Sequence, residues 1–183
     1  MRGQSHICLG KYLASHYLND LPQSCKAAFL AGCLEPDRNP LTYLKGSFRA
    51  QWLRGHNYRN ARRFMGRISR RLEGRQHLSL FDYYTLGKLI HYTADAFTCA
   101  HNDFFPSALS DHRVYEAALQ EHFLAYLSQD PSVDLPMARS IMEVIGRFHR
   151  EYEKMDADIH VDSQFALTAC CCVMAVLFLK PSI

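Results

Sequence analysis

This chain has little that would interrupt a helix. Its 183 residues include only nine glycines and seven prolines, against a hydrophobic content of 48%. That balance excludes a disordered or low-complexity polymer. Alternating apolar–polar runs of strand type are missing, as are internal repeats and any linker-like stretch that would divide the chain. The first residues, with Arg2, His6 and Lys11, hold no long apolar core, so no signal peptide is expected. The seven cysteines are an odd number without framework spacing, three of them consecutive at Cys170, Cys171 and Cys172. Such usage argues against a disulfide scaffold and for reduced thiols in a cytoplasmic chain. Acid is scarce in one region: residues 49–75 contain nine arginines and a single carboxylate, Glu73. A run of this kind suits phosphate-bearing partners or forms a solvated helix face.

Helical periodicity fills most of what remains. Residues 5–18 place Leu9, Tyr12, Leu13 and Tyr17 on one face, with His6 two turns before Leu13. A second helix opens at Pro22 and runs to Gly32. Pro36, Pro40 and Gly46 then break the pattern and place Asp37 on a loop. Asn57 caps an arginine-rich helix over 57–72 with Tyr58, Ala61, Phe64, Met65, Ile68 and Leu72 inward. Ser79 and Asp82 start a helix that runs to about Thr98. Ser110 or Asp111 caps the next, which ends at Asp130-Pro131, and another amphipathic helix follows Pro136.

The last helix, 163–179, is apolar nearly all round. Its apolar stretch falls short of the roughly 20 residues a transmembrane span requires, so a core helix and no transmembrane span are expected, with a membrane-associating tail as the alternative. The expectation is one all-α domain over 1–183, a bundle of six or seven helices.

Ten histidines are many for this length, and three of them recur in an ordered pattern. His91-Tyr-Thr-Ala-Asp95 is followed by His101 and then by His112-Arg-Val-Tyr-Glu116. On a helix, positions i and i+4 lie one above the other, so each pair aims an imidazole and a carboxylate at one point. These are ligands suited to zinc, and burying such a knot without a cation is costly. One pair alone would be an ordinary surface ion pair. Two pairs bracketing His101, with His6, Asp37 and His56 upstream, point to a metal centre.

The order of these motifs resembles the zinc-dependent phospholipase C family. Its relatives include single-strand-specific zinc nucleases and the catalytic domain of a phospholipase D acting on glycosylphosphatidylinositol. An early His, a Pro-Asp after a small helix, a lone His, His-x3-Asp-x5-His and His-x3-Glu follow one another over residues 5–127. Glu116 at the end of the second pair is closer to the phospholipases, because the nucleases tend to place Asp there.

The resemblance implies two or three zinc ions and a role for each residue. His56, His91 and Asp95 would hold one ion, with Asp37 as a further ligand or as the carboxylate orienting the nucleophilic water. His101, His112 and Glu116 would hold a second. His6 would hold a third, with Asp95 bridging to the first and the amino group of residue 1, here Met1, completing the site. Cys99 stands where the family often has Pro, and a lipid-binding C-terminal domain is not expected.

Three functions are consistent with such a site. The first is a phosphodiester hydrolase of the phospholipase C type acting on a phospholipid head group or soluble diester, with peripheral membrane contact. The second is a zinc nuclease or nucleotide phosphoesterase, motivated by the arginine run. The third is a non-catalytic, metal-stabilised binding domain.

Overall fold

The computed structural model describes residues 1–39, 41, 57–102, 109–136, 138–156 and 158–179; within these, the side chains of 109–112 are not described. Seven α-helices and one 3-10 turn account for the regular structure, and no strand occurs among the described residues. The helices are α1 (Gly3–Tyr17), α2 (Gln23–Arg38), α3 (Tyr58–Glu73), α4 (Leu80–Ala96), α5 (Leu109–Ser128), α6 (Ile141–Tyr152) and α7 (Ile159–Phe178). The expected all-α bundle is what the chain forms.

Two helices run through the middle. α4 packs against α1, α2, α3 and α7, and α7 packs against α1, α4, α5 and α6. From Leu89 to Ala96 every residue of α4 is buried, polar ones included. An amphipathic stripe would leave one side wet, so this stretch is enclosed on all sides.

Its start is fixed by a capping box. The Ser79 hydroxyl accepts from the Asp82 N–H at 3.2 Å, and the Asp82 carboxylate accepts from the Ser79 N–H at 3.0 Å. Arg71, on α3, also donates to Asp82 at 2.8 Å. Burial opposes the charge on Asp82, but the Ser79 donors and the Arg71 guanidinium outweigh it and hold the carboxyl down to about 2.

α2 meets α4 where Gly32 faces Gly87. A side chain on Gly32 would run into the Tyr84 carbonyl, and one on Gly87 into the Phe29 carbonyl. Only the absence of a Cβ on both sides permits this approach. One turn beyond the crossing lie Asp37 on α2 and His91 on α4.

α2 is longer than its sequence suggests, and Asp37 is not on a loop. The helix continues through Pro36 to Arg38, which puts Asp37 in its last turn. Proline removes one N–H from the helical ladder. Here that loss falls within the final turn, and the Pro36 ring is buried. The Asn39 N–H still bonds the Glu35 carbonyl at 2.9 Å, and Glu35 reaches Lys88 of α4 at 2.7 Å. Packing on α4 therefore carries the helix past its proline.

α7 also begins earlier than expected, at Ile159, with the Asp158 side chain accepting from the His160 N–H. At 20 residues it is long and apolar enough to cross a membrane by length and composition alone, contrary to the length expected from sequence. Much of that helix is nevertheless packed inside the protein, and it carries the buried carboxylate Asp162 toward α5 and α6.

Candidate metal centre

The centre forms where α1, α2, α4, the 3-10 turn (Cys99–His101) and α5 converge. α4 supplies His91 and Asp95 one turn apart, both fully buried. Their side chains meet as the spacing requires, with His91 Nε2 3.2 Å from Asp95 Oδ2. α1 lays the His6 ring over His91, with centroids 3.7 Å apart and planes 21° from parallel. His6 Nε2 lies 3.2 Å from the other carboxylate oxygen, Asp95 Oδ1.

The amino group of Met1 completes this floor. It donates to Asp95 Oδ1 at 2.7 Å, stands 2.8 Å from His101 Nε2 and lies 3.3 Å from Glu116 Oε1. His101 Nε2 is itself 3.4 Å from Glu116 Oε1 and 3.6 Å from Asp95 Oδ1. Asp37 Oδ1 approaches His91 Nε2 at 3.7 Å. Side-chain exposure is 0% at His91 and Asp95, then 14% at His101, 16% at Glu116 and 22% at Asp37. The site thus has a dry floor and a rim that solvent reaches.

The electrostatics follow from this packing. Burial alone would raise the Asp95 carboxyl, but His101, the Met1 ammonium, His91 and His6 together hold it well below the usual range. Burial would likewise release the Met1 proton, yet the charges of Asp95 and Glu116 outweigh it and keep the group protonated. Burial, with His91 adding to it, pushes His6 down to about 3, so its ring is neutral. Burial lowers His101 as well, against the pull of Asp95.

Three observations fit this donor set to a zinc ion. First, both ring nitrogens of His6 are buried and lack a hydrogen-bond partner. Its Nε2 lies within ion-pair distance of Asp95 but is poorly directed for a hydrogen bond, and buried polar atoms are rarely left in that state. Second, His91 Nδ1 lies 2.9 Å from the Cys33 carbonyl, which can only accept. Nδ1 therefore carries a proton and turns outward, which leaves Nε2 as the ring atom that faces the centre, as outer hydrogen bonds do for histidine ligands of metals. Third, ligand atoms of His6, His91 and Asp95 all lie within 4.8 Å of one another, close enough for one ion. A set of imidazole and carboxylate donors is zinc chemistry. In addition, the Met1 ammonium already sits as a cation among Asp95, His101 and Glu116.

Of the nine residues expected from sequence, seven come together: Met1, His6, Asp37, His91, Asp95, His101 and Glu116. His56 lies outside the described residues. The backbone of His112 belongs to α5, one turn before Glu116, and its side chain lies outside them.

Two supporting groups escaped the sequence reading. The Cys33 carbonyl is a backbone atom and carries no sequence signal. Asp162 accepts from the Cys99 N–H at 2.8 Å, the Tyr115 hydroxyl at 2.6 Å and the Tyr152 hydroxyl at 2.5 Å. It thereby ties the turn that carries His101 to α5, α6 and α7. An acid within a long apolar helix was the available signal, missed because the helix was expected to begin one residue after it.

No curated protein and no solved structure matches the chain. A family model described as zinc dependent phospholipase C matches residues 5–166. That span holds every site residue except Met1, and the match favours the first of the three functions expected from sequence over the nuclease. The chain belongs to the zinc-dependent phospholipase C family.

Proposed function

We propose that the protein is a zinc-dependent phosphodiester hydrolase that cleaves phospholipid-type diesters at phosphorus. The observation that supports this most strongly is the cluster around Asp95, where buried His6 nitrogens without hydrogen bonds face a carboxylate shared by several cationic or imidazole neighbours. Asp95 offers one oxygen toward His91 and the other toward His6, Met1 and His101, the disposition expected of a bridging carboxylate. His6, His91 and Asp95 would hold one ion, while His101 and Glu116, with His112, would hold another. The Met1 amine would have to lose its proton to join them. When bound there, zinc supplies a water acidic enough to act as nucleophile near neutral pH and balances charge on the phosphate.

The remaining work belongs to the chain. Asp37 is the most exposed carboxylate of the centre and stands at its rim beside His91. Its Oδ1 would orient an attacking water and accept its proton. The helix crossing at Gly32 and Gly87 fixes Asp37 relative to His91, so this geometry does not depend on a loop. The Cys33 carbonyl keeps the His91 proton on Nδ1 and out of the centre. The dry floor around Asp95 strengthens every charge interaction made there.

Asp37→Asn tests this reading. It keeps the size of the side chain and removes its basicity. Zinc content and helicity are expected to be retained, while hydrolysis of a nitrophenyl phosphocholine substrate falls by about a hundredfold or more. A variant as active as the parent would remove Asp37 from the mechanism. No hydrolysis by the zinc-loaded parent would rule out this substrate class.

A further inference from the structure

The arginines of α3 do not surround that helix evenly. Arg59, Arg62, Arg63, Arg67 and Arg70 recur at three- and four-residue spacing and line one groove between α3 and α6, with a volume of about 1000 Å³. Among the described residues, Glu153 is the one carboxylate lining that groove, and it lies 3.3 Å from His149 Nδ1. Among the described residues, no carboxylate lies within ion-pair distance of Arg62, Arg63 or Arg70. Like charges three and four residues apart destabilise a helix by a few tenths of a kcal/mol per pair. A solvated face would normally intersperse acids to relieve this, and α3 has one acid, Glu73, at its last position.

The groove also has a shaped floor. Gly66 lies in the middle of the arginine stripe, where a Cβ would meet only the Met142 side chain, at 4.0 Å. The protein therefore has room for alanine there, and glycine costs about 1 kcal/mol relative to alanine inside a helix. What the missing side chain provides is depth in the groove. Opposite, His149 stacks on Tyr58 with centroids 3.6 Å apart. Burial, with the charge of Arg62 adding to it, pushes this histidine down to about 4. It is a neutral wall in a positive field.

We infer that this groove is a binding site for a multiply charged phosphate group, either a phosphorylated lipid headgroup or a free polyphosphate. Guanidinium forks match phosphate oxygens in pairs and keep their charge at any physiological pH. Several of them along one groove favour an anion with more than one negative charge over a single chloride or carboxylate.

The end of the groove is built on the metal centre's own scaffold. Asn102 follows His101 directly and donates to the Ala96 and Thr98 carbonyls at 3.0 and 2.9 Å. Its carbonyl oxygen accepts from His149 Nε2 at 3.0 Å. A substrate seated by its charged group in the groove would therefore extend toward the turn that carries His101. That last step rests on the hydrolase reading above; the anion site itself does not.

The test is direct titration of the full chain with inorganic tripolyphosphate at physiological ionic strength, followed by calorimetry. Two variants remove the site in different ways: Arg63→Ser with Arg67→Ser removes charge, and Gly66→Leu fills the floor. Circular dichroism checks that each remains folded.

The groove predicts saturable binding that persists after metal removal by a chelator and weakens roughly tenfold or more in both variants. No binding, equal binding by the variants, or binding lost with the metal would overturn it. A second arm uses phosphatidylcholine vesicles with and without phosphatidic acid. Groove-dependent retention on the phosphatidate vesicles identifies a lipid headgroup, and binding of the soluble anion alone identifies a free phosphate.

Hydrolysis is assayed separately. A protein that binds tripolyphosphate but hydrolyses nothing keeps the groove and removes the hydrolase reading. An active protein that binds none does the reverse.

Discussion

Two carboxylates are wholly shut off from solvent among the described residues, and they are accommodated differently. Asp95 and Asp162 are both 0% exposed. Asp162 has a complete set of neutral donors: two tyrosine hydroxyls and one backbone N–H. Asp95 has an ammonium and three imidazoles around it, and both nitrogens of one imidazole, His6, lack a hydrogen bond.

The consequences run in opposite directions. Burial raises the Asp162 carboxyl despite its hydrogen bonds, whereas the imidazoles and the Met1 ammonium around Asp95 hold it well below the ordinary range. A satisfied carboxylate is a structural pin. One with a surplus of ligand atoms around it is a site organised for a cation. Burial alone does not separate the two; the chemistry of the partners does.

The sharpest way to break this comparison is to neutralise each carboxylate in turn. Asp95→Asn should lose bound zinc and reduce hydrolysis by about a thousandfold or more, since the shared ligand is removed. Zinc content and activity, read on protein shown by circular dichroism to be folded, check this together.

Asp162→Asn should instead act on stability. It weakens three buried hydrogen bonds, and a loss of about 3 kcal/mol, roughly 6–12 °C in Tm, is expected. Zinc should remain bound in the folded fraction. Zinc loss from Asp162→Asn without loss of stability would erase the distinction between pin and site.

The smallest effect concerns a third carboxylate, Asp82, which joins a capping box to an ion pair. Its folded value, about 2, lies below the ordinary 3.8 of an aspartate. Its contribution is therefore fully present above pH 4 and lost as pH falls from there to about 2. Asp82→Asn should cost about 1 kcal/mol at neutral pH. In acid unfolding monitored by circular dichroism, the gap between parent and variant should close toward pH 2.

These three residues also show what could be read from the sequence. Asp95 was legible because local periodicity places His91 one turn before it, and a turn brings His101 back. The Asp82 cap was legible because it acts within four residues of chain. Asp162 was not, since its partners come from residues 99, 115 and 152, and only tertiary packing brings them together.

Asp37 lies between these cases. The residue was identified by its place in the motif order, but its setting was misjudged. Pro36 reads as a helix breaker, and nothing local reveals that packing on α4 extends α2 past it. The order of helices followed from periodicity, caps and prolines, and the expected six or seven agree with the seven among the described residues. Helix ends did not: α2 is carried past Pro36 by its packing on α4, and α7 starts at the Asp158 cap, ahead of the apolar run that marks the helix in the sequence.

The arginine run was visible as composition only. Its concentration along one groove depends on where α6 packs, which no local pattern specifies.

The claim that Asp95 anchors a metal centre is tested most directly by the metal content of the purified protein. Elemental analysis should find more than one zinc ion per chain in the parent and a clear reduction in Asp95→Asn. A folded parent that retains no zinc after incubation with the metal at neutral pH would contradict it.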